Sequence, residues 1–145
     1  MKITVDWLKE KQACSEGVKY FETLREECAF KVFELMIKKK ENLNWANWAI
    51  VRLMEKPQYV AYAIYAAEQV IDIFEKKYPN DKRPRRAIEA AKNYLKNPAA
   101  AYAAYAAAYA AAYAADAASY ADDAKRIEMQ IKILKFGIKL LSEDK

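Results

Sequence analysis

The sequence predicts an all-α fold, a compact bundle of six to seven helices with at most one short N-terminal strand. Three observations carry that prediction. Helix breakers are few, two Gly and four Pro in 145 residues. Apolar residues recur at steps of three and four nearly everywhere, the spacing of one helix face. From Ala99 to Ala124, 17 of 26 residues are Ala, the residue with the highest helix propensity. The length suits one hydrophobic core, so residues 1–145 are read as a single all-α domain.

The elements follow in order. Met1 to Val5 alternates β-branched residues and reads as a lone strand or an extended arm, with Thr4 or Asp6 capping a first turn through Trp7 and Leu8. Ser15, followed by Glu16, reads as the N-cap of a helix carrying Val18, Phe21, Leu24, Cys28, Val32, Leu35 and Met36. Lys38, Lys39 and Lys40 suit its C-terminus, where cations meet unsatisfied carbonyls. Two thiols 14 positions apart on one helix would be roughly 21 Å apart and unable to bridge. Cys14 and Cys28 are therefore read as reduced core residues.

Asn44 reads as the N-cap of a helix carrying Trp45, Trp48, Ala49 and Leu53, with Arg52 at the edge of the stripe. The two Trp are read as core anchors. Pro57 fits the first turn of a helix through Val60, Ile64, Ala67, Ile71 and Phe74. Tyr78-Pro79-Asn80-Asp81 is a loop, and Pro84 opens a shorter helix through Ile88, Ala91 and Leu95. Asn97-Pro98 marks the next helix start. The Ala-rich segment that follows sets Tyr102, Tyr105, Tyr109, Tyr113 and Tyr120 on one slowly drifting face. The last segment carries Ile127, Ile131, Leu134, Ile138 and Leu141. An unbroken helix from Pro98 to Leu141 would run roughly 66 Å, against about 35–40 Å for a domain of this size. A break is expected between Asp116 and Asp123, the alternative being one long helix that projects from the body.

Composition excludes much chemistry. With no His and two Cys, neither a Ser-His-Asp triad nor a Cys/His metal cluster can be assembled. Gly17 and Gly137 are the only glycines, so no phosphate-binding loop or dinucleotide fingerprint can be written. No catalytic residue, cofactor or metal is expected. Asp116, Asp122 and Asp123 are read as caps or ion-pair partners rather than a carboxylate site. The longest uncharged run, Pro98 to Ala115, holds only Ala and Tyr after the Pro, which rejects a membrane span. Met1 to Lys11 lacks the apolar core of a signal peptide, and the chain is expected in the bacterial cytoplasm.

The net charge of +5 is local. Between Glu75 and Lys96 there are eight basic residues against three acidic ones, and that difference is the whole excess. Lys82, Arg83, Arg85 and Arg86 form its densest part. One or two of these Arg are expected to pair with acids such as Asp81, Glu89 or Asp116, since cations oppose the dipole at a helix N-terminus. The others are left to steer an acidic partner. A nucleic-acid interface over segment 75–96, with Tyr78 and Tyr94 flanking it for stacking, is the alternative. The Tyr row reads as a packing seam, while the exposed rings among Tyr102, Tyr105, Tyr109 and Tyr113 would supply contact area to a partner. The same seam can pack against a second copy in a homodimer.

The stretch PNDKRPRRAIEAA, from Pro79 to Ala91, followed by NYLKNP and an Ala-rich helix, resembles the immunity-protein-five-like group of immunity proteins. It is similar too to uncharacterised bacteriophage proteins of the same arrangement. Asp81, Arg83, Pro84, Arg85, Ala87, Ile88 and Glu89 carry the likeness, which spans Pro79 to Ala124. That family usually has His in its later helices, and this chain has none. The resemblance implies an all-α, non-catalytic protein that binds and neutralises another protein, a bacterial effector. A phage origin would make it an inhibitor of bacterial defence, such as an anti-CRISPR protein.

Overall fold

Caps decide where this chain turns, and the first lies four residues in. In the computed structural model, which describes residues 1–97 and 123–143, Thr4 Oγ1 accepts from the Trp7 amide at 3.2 Å and opens α1 (Val5–Glu10). Then follow α2 (Ser15–Leu24), α3 (Ala29–Lys39), α4 (Leu43–Leu53), α5 (Lys56–Lys77), α6 (Arg83–Lys96) and α7 (Asp123–Glu143). The fold is all-α, with seven helices and no strand among the described residues. The extended N-terminal arm makes one antiparallel bridge, Lys2 to Cys28. The expected break between Asp116 and Asp123 and the Tyr row lie outside the described residues. Two compact units divide the chain, Met1–Leu53 and Met54–Lys145.

In the first unit, the single helix expected from Ser15 to Met36 is two helices. Arg25 takes a left-handed conformation, φ 51°, and ends α2. The Glu26 carboxylate then accepts from the amides of Glu27 (3.0 Å) and Cys28 (2.8 Å). Peptide groups outside the helices need other partners, and the arm supplies them. The Ile3 amide donates to the Glu27 carbonyl at 2.8 Å, and the Ala29 amide to Met1 at 3.3 Å. Ile3, 1% exposed, is thereby seated in the core.

The two cysteines belong to this rearrangement. Cys14, not Ser15, is the N-cap of α2, its Sγ accepting from the Gly17 amide at 3.4 Å, and Cys28 is the N-cap residue of α3. Neither is a core residue: Cys14 is exposed and Cys28 half-buried. Helix α4 also starts earlier than expected. The Asn42 carbonyl accepts from Trp45 and Ala46, so Asn44 falls inside the first turn while Leu43 is buried. The Trp side chains are half-buried. Trp48 lies edge-on to Trp7 at 6.3 Å with the Arg52 guanidinium 3.9 Å above it, and Trp45 lies edge-on to Tyr20 at 5.7 Å.

In the second unit, α5 begins at the Glu55 N-cap with Pro57 in its first turn. Gln58 accepts from the Glu55 amide at 2.9 Å and donates through Nε2 to the Leu140 carbonyl of α7 at 3.1 Å. All five expected core positions of α5 are buried, each large one contributing about 1.5–3 kcal/mol relative to exposure. They pack with Ile88, Ala91 and Tyr94 of α6. Tyr65 stacks on Phe136 of α7 at 4.0 Å. Burial pushes the Tyr62 phenol above its ordinary range. The α6 stripe ends one residue earlier than expected: Tyr94 is buried and Leu95 is 39% exposed. Steps of four, three and three from Pro84 through Ile88 and Ala91 reach Tyr94, and Leu95 lies about 100° past it.

Candidate protein-binding surface

The basic segment sits where α5 turns into α6. Helix α5 closes with the Tyr78 amide donating to Phe74, and the Asp81 amide donates back to the Tyr78 carbonyl at 3.1 Å. Asp81 then serves the start of α6. Its carboxylate accepts from the Arg83 amide at 3.0 Å and from the Arg83 guanidinium at 2.6–3.1 Å. These bonds to Arg83 hold the Asp81 carboxyl down at about 2. Arg85 reaches back to α5 and donates to both oxygens of Glu75 at 2.7 Å. That hydrogen-bonded pairing lowers Glu75 and raises Arg85, and the Lys82 charge lowers Glu75 further.

The carboxylates resolve an electrostatic conflict. A helix N-terminus carries a partial positive charge, and four cations gather beside this one. Asp81 and Glu75 compensate two of them and fix their side chains in bidentate geometry. Lys82 and Arg86 are exposed and form no ion pair among the described residues. Tyr78, 40% exposed, stands at the corner with the Lys77 ammonium 5.7 Å from its ring. An open depression runs along Tyr78, Pro79, Asn80 and Arg83.

Of the residues singled out from sequence, the structure brings Lys82, Arg83, Arg85 and Arg86 together on one exposed turn. Tyr102, Tyr105, Tyr109 and Tyr113 lie outside the described residues. Tyr94 is 6% exposed within the α5–α6 core and has no face for stacking on a base, which removes half of the aromatic support for the nucleic-acid alternative. Glu75 is the member that sequence reasoning missed. It lies ten positions before Arg85 on another helix, and no local rule pairs residues across a turn. Lys92 is likewise paired, with Glu68 of α5.

Among the described residues, no group of three Cys, Asp or Glu is arranged to hold a metal ion, and no helix is long and apolar enough to cross a membrane. The corner can present two carboxylate-held guanidinium groups, two further exposed cations and one aromatic ring to an acidic surface. No curated protein and no solved structure matches the chain. The model of the Imm-5 like putative immunity protein family matches residues 49–130, more than half the chain and all of the α5–α6 corner. The chain belongs to that family.

Proposed function

We propose that the chain is a non-catalytic inhibitor that neutralises a bacterial effector protein by direct binding, with the α5–α6 corner as its contact surface. Family membership supports an immunity-like role. The observation that carries the surface is the pairing pattern: all four cations are exposed, Arg83 and Arg85 are held by carboxylates, and Lys82 and Arg86 have no ion pair among the described residues. Clamped side chains lose little entropy on binding, and exposed cations raise the encounter rate with an acidic partner. Tyr and Arg are the side chains that most often carry binding energy at such surfaces. The absence of His leaves proton transfer near neutral pH without its usual residue, which supports binding rather than turnover.

The finer reading places the protein in the cytoplasm of a bacterial host as a phage-encoded block on a defence effector, such as a CRISPR nuclease. The test is affinity capture from nuclease-treated bacterial lysate, with wild type against Lys82→Glu/Arg86→Glu, a pair that leaves both clamps in place. A protein retained by wild type and lost from the variant supports the reading. Identical retained sets, or none, defeat it. Nuclease treatment separates a protein partner from nucleic-acid carry-over.

A further inference from the structure

A second feature lies in the first unit, and of the residues that line it Ala49 alone falls within the matched family region. The arm and α1 to α4 surround a cavity of about 310 Å³. Tyr20, Phe21, Phe33, Trp45 and Trp48 line it together with aliphatic side chains, and no charged side chain lines it. Gln12 and Cys14 line it and are exposed, which marks the mouth at the loop between α1 and α2. Protein interiors are close-packed, and voids of this size inside one small unit are uncommon. Ring contacts hold the Trp walls: Trp7 and the Arg52 guanidinium pack on Trp48, and Tyr20, itself a lining residue, lies edge-on to Trp45, so the space is formed before anything enters.

We propose that this cavity is a binding site for a small, neutral, aromatic molecule of about two fused rings. Size sets the upper bound: an apolar cavity of about 150 Å³ accepts benzene, and this one has about twice that volume. Charge sets the class. An ionised group inside would lose its hydration with no counter-charge in the walls to replace it. The rings of Trp45, Trp48 and Tyr20 favour a flat partner, because offset and edge-to-face contacts add to area burial. The Cys14 thiol stands at the entrance and reports occupancy.

The probe is N-phenylnaphthylamine, a neutral fluorophore that brightens in apolar surroundings, titrated into the full chain. The expected result is one saturable site per chain. Occupancy slows iodoacetamide alkylation of Cys14, read by peptide mass spectrometry, and leaves Cys28, which does not line the cavity, at its original rate. Ala49→Phe, which fills the cavity from α4, weakens binding by about tenfold or more. Anilinonaphthalene sulfonate, of similar shape but charged, fails to displace the neutral probe at equal concentration. The absence of saturable binding overturns the proposal, as does binding that leaves the Cys14 rate unchanged. Equal affinity in a folded Ala49→Phe variant overturns it too, and displacement by the sulfonate overturns the neutral class. Should Ala49→Phe fail to fold, Cys14 protection in the wild-type chain decides.

Discussion

Arg85 donates through Nε and Nη2 to both carboxylate oxygens of Glu75, each at 2.7 Å, and ties the first turn of α6 to the last turn of α5. Asp81 holds Arg83 in the same manner on the other side of the turn. Both acids are therefore more acidic in the folded protein than in the unfolded chain.

That difference predicts an acid response. A depressed carboxyl contributes stability that is fully present above its unfolded value and is lost as pH falls through its folded one. For Asp81 the window runs from the ordinary 3.8 down to about 2. Melting temperature is expected to fall as pH drops through that window. Asp81→Asn is expected to flatten part of the slope, and Glu75→Gln another part. Thermal melts of the three proteins across the window check it, and an unchanged slope in both variants contradicts it.

The phase of α6 gives a sharper test. Tyr94 is 6% exposed and Leu95 39% exposed, although Leu is the more apolar residue. Tyr94→Ala is expected to cost about 3–5 kcal/mol by analogy with other large aromatic deletions. Leu95→Ala is expected to cost less than about 1 kcal/mol. Urea unfolding distinguishes them, and equal losses would mean that the stripe runs through Leu95 instead.

Gln58 joins two helix ends with one amide, accepting at the start of α5 and donating to the last turn of α7. Removing both bonds in Gln58→Ala is expected to cost about 1–2 kcal/mol. Amide exchange should rise at the start of α5 and at the end of α7 together. A change at one end alone would separate the two roles.

Arg25 ends α2 at φ 51°, a conformation that costs a non-glycine residue about 1–2 kcal/mol. Arg25→Gly relieves that strain and adds some unfolded-state entropy. A net gain of about 1 kcal/mol is expected, read as a higher urea midpoint. A loss would show that the Arg25 side chain makes a contribution larger than the strain.

The same residue explains what the sequence did not disclose. Left-handed helix ends normally announce themselves with Gly, but here they fall on Gln12, Arg25 and Lys40, and no described Gly has positive φ. Gly17 and Gly137 sit inside helices instead. The apolar period runs almost in register across the break, so Val18 through Met36 read as one helix. Where Pro marked the start, at Pro57 and Pro84, the helices and their buried faces were legible to within a residue or two. The cluster Lys82, Arg83, Arg85 and Arg86 was legible as charge. Its sorting into clamped and unclamped members depends on Glu75, which the fold brings across the turn. The cavity was illegible because its walls come from the arm and four helices at once.

Helix α5 packs α6 along one face and α7 along another, and those neighbours arrive at different times. During synthesis α6 follows α5 after a five-residue connection, so their hairpin closes a short loop at little entropic cost. The α7 face, with Tyr65 and the Gln58 amide, must wait until the chain has reached Phe136 and Leu140. At about 5–20 residues per second, that interval lasts several seconds. Through it Tyr65 and the Gln58 amide lack their α7 partners, and a hydrophobic ring left without its native partner is the kind of surface to which holdase chaperones bind.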